Sequence, residues 1–234
     1  MGPLIEKRLS AFHALNKAES AALRALGGPA RTAEKDQQIL AANQPSDRTI
    51  LIHRGRAMIY RDLSDGRRQI MQFCLPGDLV DPCSLLAKRR DFSIAAISRL
   101  TFSDVSLNEL TSLISQHPHL ALPLLWNEAR DIYLLRRHLL GVGRMTAKER
   151  LAALFLEIYE RLSMVGHATG GSFKLYANQK ILGDATGLSA VHVSRTMQSM
   201  EREELIERSG GTLTIDREGL HRLVPDMLEI RPRA

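Results

Sequence analysis

The sequence predicts an α+β protein with a strand-rich N-terminal part, a long helix, and a C-terminal pair of short helices followed by a hairpin. Three observations predict this fold class. Short strand-like runs with turn residues between them fill residues 37–107. A long helical stretch covers 120–142, with no breaker between Pro123 and Gly141, and a glycine bend joins two short helical patterns at 178–204. The domains expected from this pattern are residues 1–119, 120–143 and 144–234.

The composition is that of an ordinary globular protein. The chain has 234 residues, of which 44% are hydrophobic and 25% charged. We find no apolar stretch long enough to cross a bilayer and no export signal at the start, so we expect a cytoplasmic protein without a membrane partner. Cys74 and Cys83 are too few for a four-thiolate iron–sulfur or zinc site. Structural roles are favoured for both, with a redox pair as the alternative.

The net charge of +6 points to an anionic partner, but the positive charge is unevenly placed. Residues 1–143 contain 19 Lys and Arg against 14 Asp and Glu, whereas residues 144–234 contain 13 against 12. If the C-terminal part binds DNA, the positions of its few cationic side chains must account for the binding.

The N-terminal part begins with helical spacing and continues with strands. Apolar residues three or four apart over 4–26 predict one or two short helices, which end at Gly27–Pro29. The Asp65-Gly66 pair between MIYRDL and RQIMQF is typical of a β-hairpin turn. Short strands at regular spacing indicate a small antiparallel barrel or a jelly roll.

The helix expected over 120–142 has two apolar stripes. One stripe is predicted to form a dimer seam, and Glu128 interrupts it. Its members are Leu125, Ile132, Leu135, Leu139 and Val142. The second stripe, which we expect to pack on the barrel of the same chain, consists of Trp126, Ala129, Tyr133 and Leu140. A core helix that is buried on both sides is the alternative interpretation.

The C-terminal helix pair has the pattern of a helix-turn-helix. Asn178 and Ser189 stand where helix caps are expected, and Gly187 suits a tight turn with left-handed backbone. The second helix buries Val193, Met197 and Met200, and a Gly210-Gly211 hairpin follows as a wing. A plain αα-hairpin fits the pattern equally well. The outward residues favour a DNA reader, because Arg195, Ser194 and Gln198 can bond base edges or phosphates.

These segments resemble the bacterial cyclic-AMP receptor protein / fumarate–nitrate regulator (Crp/Fnr) family of transcription factors. The resemblance rests on TAKERLAALFLEIYERL, on NQKILGDATGLSAVHVSRTMQSMEREELI with its wing, and on PGDLV at 76–80. It implies a cyclic-nucleotide-binding-like β-roll, a long dimerisation helix, and a winged helix-turn-helix that enters the major groove of a palindromic operator. The implied partners are double-stranded DNA, a second copy of the chain and RNA polymerase. The implied DNA-binding residues are Asn178, Lys180, Ser189, Val191, His192, Ser194, Arg195 and Gln198.

The effector positions implied by the resemblance depart from the cyclic-AMP pattern. Asp81-Pro82 stand where that pattern has the Gly-Glu pair for the ribose, and Phe92-Ser93 stand where it has the Arg-Ser pair for the phosphate. Leu135 and Arg136 stand at the adenine-contacting positions. A pocket that lacks the arginine and contains an aspartate is poor for an anion, so cyclic AMP is disfavoured. An iron–sulfur cluster is disfavoured too, and the effector is unknown.

The reading helix departs from the family pattern at one base-contacting position. The resemblance implies Glu, then Ser or Gly, then Arg as base readers, and this chain has Val191, Ser194 and Arg195. Glutamate accepts a hydrogen bond from cytosine, which valine cannot do. The half-site is therefore expected to differ at that base pair or to be read less strictly there.

Two other function classes are considered. The His117-Pro118-His119 string fits part of a jelly-roll metal motif, but no glutamate follows at ligand spacing, and Pro118 suits the first position of a helix. We therefore expect no enzyme and no metal site. The alternatives kept are a haem- or redox-dependent gas or stress sensor of the same family, and a barrel-type regulatory subunit that acts on a partner protein.

Overall fold

The computed structural model describes residues 4–225, which form two compact units. Among the described residues, the first unit comprises 4–61 together with 73–132, and the second comprises 62–72 together with 133–225. The boundary thus falls inside the long helix. The predicted three-part division stays a prediction, and its two ends lie outside the described residues.

Residues 4–106 form two short helices and two four-stranded sheets. The helices confirm the expectation of short N-terminal helices, and the strand orders are β1-β8-β3-β6 and β2-β7-β4-β5. The elements are α1 Leu4–Leu9, α2 Lys17–Ala25, β1 Arg31–Ala33, β2 Gln38–Leu40, β3 Arg48–Arg54, β4 Ala57–Asp62, β5 Arg68–Cys74, β6 Leu79–Val80, β7 Ser93–Ala96 and β8 Leu100–Ser106. The two sheets confirm the predicted β-roll.

The predicted hairpin turn is present between β4 and β5. Gly66 takes a φ of 84°, and the Leu63 N–H donates to the Arg67 carbonyl at 2.8 Å. Asp65 accepts a hydrogen bond from the Arg67 backbone N–H at 3.0 Å. Glycine suits this turn because left-handed backbone carries little strain without a Cβ.

An apolar core joins α1 and α2 to the first sheet and to α3. Its members are Ile5, Leu9, Leu23, Leu26, Leu51, Leu79, Leu85, Val105, Leu110, Leu113, Leu120 and Leu124. The helix α3, Leu107–Gln116, begins with a capping box between Ser106 and Glu109. Because α1 and α2 supply three of the buried residues, and Leu26 directly after α2 supplies a fourth, the two helices are part of the fold of this unit.

Buried charged side chains contact one another at the PGD turn, residues 76–78. The Asp78 carboxylate accepts the Leu75 N–H at 2.6 Å and lies 3.0 Å from Arg8 Nη1 and 3.5 Å from Arg130 Nη2. All three charged side chains are almost fully buried. A Cβ on Gly77 would lie 2.9 Å from the backbone of Leu4, so α1 approaches this turn closely.

The long helix α4 runs over Ala121–Arg144, which confirms the predicted helix. Pro118 does not open α4 itself. It opens a 3-10 helix, Pro118–Leu120, that directly precedes α4.

The predicted barrel-packing stripe of α4 is wrong. Trp126 and Tyr133 are half-buried, while Ala129 and Leu140 are exposed. The buried side of the helix is instead formed by Leu124, Asn127, Arg130, Leu134 and Arg137. Three of these five are polar, and they are accommodated by contacts such as the one from Arg130 Nη2 to Asn127 Oδ1 at 3.0 Å. Hydrophobic periodicity could not find a face of this composition.

The second unit has the order helix, two short strands, two helices, two strands, helix. Its elements are α5 Ala147–Met164, β9 Ala168–Thr169, β10 Ser172–Lys174, α6 Gln179–Thr186, α7 Ala190–Arg202, β11 Ile206–Ser209, β12 Thr212–Ile215 and α8 Arg217–Leu223. The strands form one sheet of order β11-β12-β10-β9. A capping box of Thr146 and Glu149 begins α5. Within residues 4–225, every helix is too short or too polar to traverse a lipid bilayer.

Candidate nucleic-acid interface

The turn between α6 and α7 is built by caps and glycines. Asn178 Oδ1 accepts the Ile181 N–H at 2.9 Å, and Ser189 Oγ accepts the His192 N–H at 3.2 Å. Gly187 ends α6 with a φ of 70°. A Cβ on Gly183 would stand 2.4 Å from the Leu188 carbonyl oxygen, so a larger residue would push the two helices apart. The local sequence thus fixes the angle at which α7 leaves the turn.

The buried face of α7 holds it to the unit. Val193, Met197 and Met200 are at most 1% exposed, as predicted. Thr196 is also buried, and its hydroxyl donates to the His192 carbonyl at 2.8 Å. Since an α-helix has 3.6 residues per turn, the opposite face carries residues 191, 195, 198 and 202.

The predicted reading residues lie on that outer face or beside it. Val191, His192, Arg195 and Gln198 are exposed, and Ser194 is half-buried. Within the described residues, no hydrogen bond or ion pair engages the Arg195 guanidinium. Arg202, which sequence reasoning did not single out, donates from Nε to the Gln198 carbonyl at 3.3 Å. Its position one turn after Gln198 on the outer face could have identified it.

The wing adds two cations that sequence reasoning also missed. Lys174 Nζ donates to the Gly210 carbonyl at 3.1 Å, which ties β10 to the wing turn. Arg208 on β11 forms a two-pronged ion pair with Glu201 at 2.6 and 2.7 Å, and the hydrogen bonds from Arg208 lower the pKa of Glu201. Arg208 therefore neutralises the negative charge of Glu201, the first carboxylate of α7 after the predicted reading residues.

A cleft of about 250 Å³ separates the wing from the start of α6. Gln179, Arg208 and the Gly210-Gly211 turn line it. Lys180 lies in the first turn of α6 with its side chain 73% exposed, and its Nζ is 3.4 Å from Asp184 Oδ2. Such a surface pair restrains a lysine weakly, so the amine is available to an anion.

Comparison with known proteins agrees with this geometry. Residues 149–223 match the Crp-like helix-turn-helix domain, and residues 30–117 match the cyclic nucleotide-binding domain. The nitrogen fixation regulation protein FixK of Azorhizobium caulinodans is 30% identical over 201 residues, which cover 85% of this chain and 80% of that protein. The chain belongs to the Crp/Fnr family of transcription regulators.

Other members of the Crp/Fnr family support the assignment. FixK of Bradyrhizobium diazoefficiens is 31% identical over 69% of this chain and 67% of its own length. The solved structure of FixK2 from Bradyrhizobium japonicum superposes with a TM-score of 0.73 at 28% identity, covering 83% of this chain and 96% of that one. Crp/Fnr regulators bind DNA, generally as dimers. This chain is thus a DNA-binding transcription regulator whose signal is unidentified.

Four of the effector positions expected from the Crp/Fnr pattern lie in the first unit. Phe92 and Ser93 are both buried, and Ser93 Oγ accepts hydrogen bonds from the Ala42 N–H at 3.0 Å and from Gln38 Nε2 at 3.3 Å. Asp81 has left-handed backbone with a φ of 40° and caps the 3-10 helix that Pro82 opens. Burial raises the pKa of the Asp81 carboxyl. Leu135 and Arg136 are exposed and belong to the second unit.

The two cysteines differ in environment. Cys74 is buried and Cys83 is exposed. Partial desolvation of the thiol and the neighbouring Glu128 raise the pKa of Cys83 to about 12. Burial together with Asp131 raises the pKa of Glu128 to about 7. The Cys83 thiol therefore stays protonated near neutral pH, which makes Cys83 a poor nucleophile. Glu128, expected only to interrupt the dimer seam, is the partner of this thiol.

The two histidines of the considered metal motif have other contacts. The His117 N–H donates to the Leu113 carbonyl at 2.9 Å and ends α3. The His119 ring stacks on His13, with a centroid distance of 6.2 Å. Across residues 4–225, His, Cys, Asp and Glu side chains form no group of three or more that could hold a metal ion.

Proposed function

We propose that this regulator binds a palindromic operator as a homodimer, reads it with α7, and responds to a signal other than cyclic AMP. The observation that carries the proposal is the outer face of α7. An unengaged arginine, a glutamine and a half-buried serine stand there on a helix whose other face is locked into the core. The N-terminal residues of a recognition helix contact base edges in the major groove, and arginine there pairs best with guanine.

Cations on both sides of the reading helix support phosphate contacts. We assign this role to Lys180 at the start of α6, to Lys174 beside the wing turn, and to the free amide hydrogens of Asn178. Ser189 and His192 lie at the N-terminal end of α7. The Ser189 hydroxyl and the His192 ring complete the expected set of DNA contacts. Such contacts position the protein on the duplex but do not specify its sequence.

The exposed apolar surface of α4 supports dimerisation. The predicted seam residues are 44–75% exposed in a single copy, although four are leucine or isoleucine and one is valine. They are Leu125, Ile132, Leu135, Leu139 and Val142. Leu122 and Leu140 extend this surface with 62% and 47% exposure. Exposed large apolar residues repeated along one helix are typical of an interaction site, and a second copy of the chain presents the same residues.

The environment of Phe92 and Ser93 supports a signal other than cyclic AMP. A buried phenyl ring cannot supply the charge that a cyclic phosphate requires, and the Ser93 hydroxyl is already bonded within the unit. We further propose that the protein is not an enzyme, acts in the cytoplasm without a membrane partner, and works through RNA polymerase.

Selection from randomised DNA tests the proposed function. The full-length protein should enrich a palindrome whose half-sites are about 10 base pairs apart, centre to centre, or a multiple of that spacing. Light scattering of the complex should give two chains per duplex. An enriched motif without two-fold symmetry, or one chain per duplex, would contradict the proposal.

A further inference from the structure

Val191 is an apolar side chain in a place where folding does not need one. It is the second residue of α7 and is 62% exposed, whereas the apolar residues that anchor the helix are buried. The structure describes all residues of α7, and among them Val191 is the one large apolar residue that is exposed. A β-branched residue also lowers helix propensity slightly, so its presence there does not stabilise the isolated chain.

Val191 and Arg195 lie on the same face of α7. They are four residues apart, a spacing that brings Cβ atoms within about 5–6 Å of each other. Base pairs in a duplex are about 3.4 Å apart along each strand. A side chain one turn before Arg195 therefore faces a base pair one or two steps from the one that Arg195 contacts.

The chemistry of valine limits what it can recognise there. It has no donor or acceptor, so it cannot read the hydrogen-bonding groups of the major groove. The apolar group that bases display in that groove is the C5-methyl group of thymine. The amino groups of cytosine and adenine would lose water against valine without gaining a partner, which disfavours them.

We propose that Val191 is a specificity-determining residue that packs against the C5-methyl group of a thymine in each half-site. This inference rests on the proposed function, because it requires α7 to be the reading helix. The thymine lies within two base pairs of the guanine that Arg195 reads, on either strand. 5-Methylcytosine displays the same methyl group, so the test must separate the two bases.

Replacing thymine by deoxyuridine removes only the methyl group and tests the proposal directly. Each thymine of the selected operator is replaced in turn, on both strands, and binding of the full-length protein is measured by fluorescence anisotropy at constant salt. At one position per half-site the replacement should weaken binding about fourfold, the factor expected for one buried methyl group. Equal binding of every uridine duplex by the unaltered protein would overturn the proposal.

Two variants of Val191 differ by a single methyl group and assign the effect to this side chain. Val191→Thr should keep the difference between thymine and uridine, and Val191→Ser should lose it. Ala190→Ser places the same hydroxyl at the neighbouring exposed position and should keep the difference. Persistence of the full difference in Val191→Ser would show that another residue contacts the methyl group.

A comparison of cytosine with 5-methylcytosine at the sensitive position identifies the base. Thymine should bind more tightly than both, and tighter binding of 5-methylcytosine than of thymine would overturn the assignment to thymine. Failure of this inference is separable from failure of the proposed function. If Arg195→Ala relaxes the selected motif while uridine has no effect, α7 reads DNA and only the thymine contact is refuted.

Discussion

The half-buried His138 and the buried Glu157 form an ion pair in the second unit, with 2.7 Å between imidazole Nε2 and carboxylate Oε2. The other ring nitrogen, Nδ1, lies 3.2 Å from the Met71 carbonyl oxygen. Both ring nitrogens thus face acceptors, and only the doubly protonated imidazolium can donate to both. Arg161 Nη1 contacts the second carboxylate oxygen at 2.9 Å. Segments far apart in sequence therefore meet at His138 on α4, which contacts Glu157 on α5 and Met71 on β5.

The pKa values of this pair move apart. Burial alone would lower the pKa of His138, but the charge and hydrogen bond of Glu157 and the Met71 carbonyl raise it above its ordinary value of 6.5, against a smaller opposing effect of Arg161. Burial would raise the pKa of Glu157, yet His138, Arg161 and Arg137 together lower it below its ordinary value of 4.5. The charged forms of both residues are favoured.

We expect His138→Gln to destabilise the protein more at low pH than at high pH. A raised histidine pKa contributes stability that is complete below pH 6.5 and is lost as the pH rises through the folded-state pKa. The lowered pKa of Glu157 contributes above pH 4.5, so the pair stabilises most between these values. Urea unfolding should show a loss of about 1–3 kcal/mol at about pH 5.5 and a smaller loss at about pH 8.5, since Arg161 still contacts Glu157 in the variant.

His221→Gln is the matched control for this measurement. The His221 side chain is partly exposed, and its Nε2 lies 3.9 Å from Glu160. Its replacement should change the free energy of unfolding little at either pH. A loss in His138→Gln that is constant with pH, or that grows as the pH rises, would refute the ion-pair account.

Cyclic AMP should not bind at micromolar concentration. Phe92 is 5% exposed and stands where a phosphate-binding arginine is required, and the Ser93 hydroxyl is already bonded to the Ala42 N–H. Micromolar affinity would need ~8 kcal/mol of binding free energy, which this environment does not supply. Isothermal titration calorimetry should detect no saturable heat, and a micromolar dissociation constant would contradict this prediction.

Leu139→Asp should convert the dimer to monomers. Leu139 is 75% exposed on the apolar surface of α4, and in a dimer the aspartate of each copy would be buried without a partner. Ile132→Asp should act in the same way. Leu86→Asp is the matched control, because Leu86 is 77% exposed but lies outside α4. Light scattering that shows dimers for both α4 variants would place the seam elsewhere.

The helix-turn-helix could be predicted from sequence because its signals are local. Asn178, Gly187 and Ser189 each determine a cap or a turn within three or four residues, and the structure has the caps and the turn at those positions. The buried spacing of Val193 and Met197 is a property of one helix. Consistent local signals of this kind need no knowledge of the rest of the chain.

The buried charges could not be predicted because their partners are distant in sequence. Arg8 and Asp78 are 70 positions apart. Glu157 on α5 pairs with His138 on α4, whose ring also contacts the Met71 carbonyl. Hydropathy assigns such residues to the surface, which is why the buried side of α4 with Arg130 was missed. A charged residue can be buried when a partner distant in sequence compensates for its lost hydration. Residue type alone does not predict burial in such cases.

Arg195 and Lys180 should differ in what their loss does to DNA binding. Arg195→Ala removes a guanidinium that is free to pair with guanine, so it should cost about 1–3 kcal/mol on the selected operator and relax the preference at one base pair of each half-site. Lys180→Ala removes a phosphate contact. It should weaken binding to all sequences about equally and reduce the salt dependence of binding by about one counterion per chain. Repeating the selection and a salt titration with both variants measures these effects.

Val191→Glu completes that experiment, and Arg222→Ala is its control. A glutamate at 191 can accept a hydrogen bond from cytosine, so the selected half-site should gain a G·C pair within two base pairs of the guanine read by Arg195. Arg222 has a side chain that is 71% exposed on α8, away from the α6–α7 turn in sequence, and its loss should change neither the motif nor the salt slope. If Arg195→Ala leaves the selected motif unchanged while Val191→Glu also has no effect, α7 is not the reading helix, because both changes alter the same outer face.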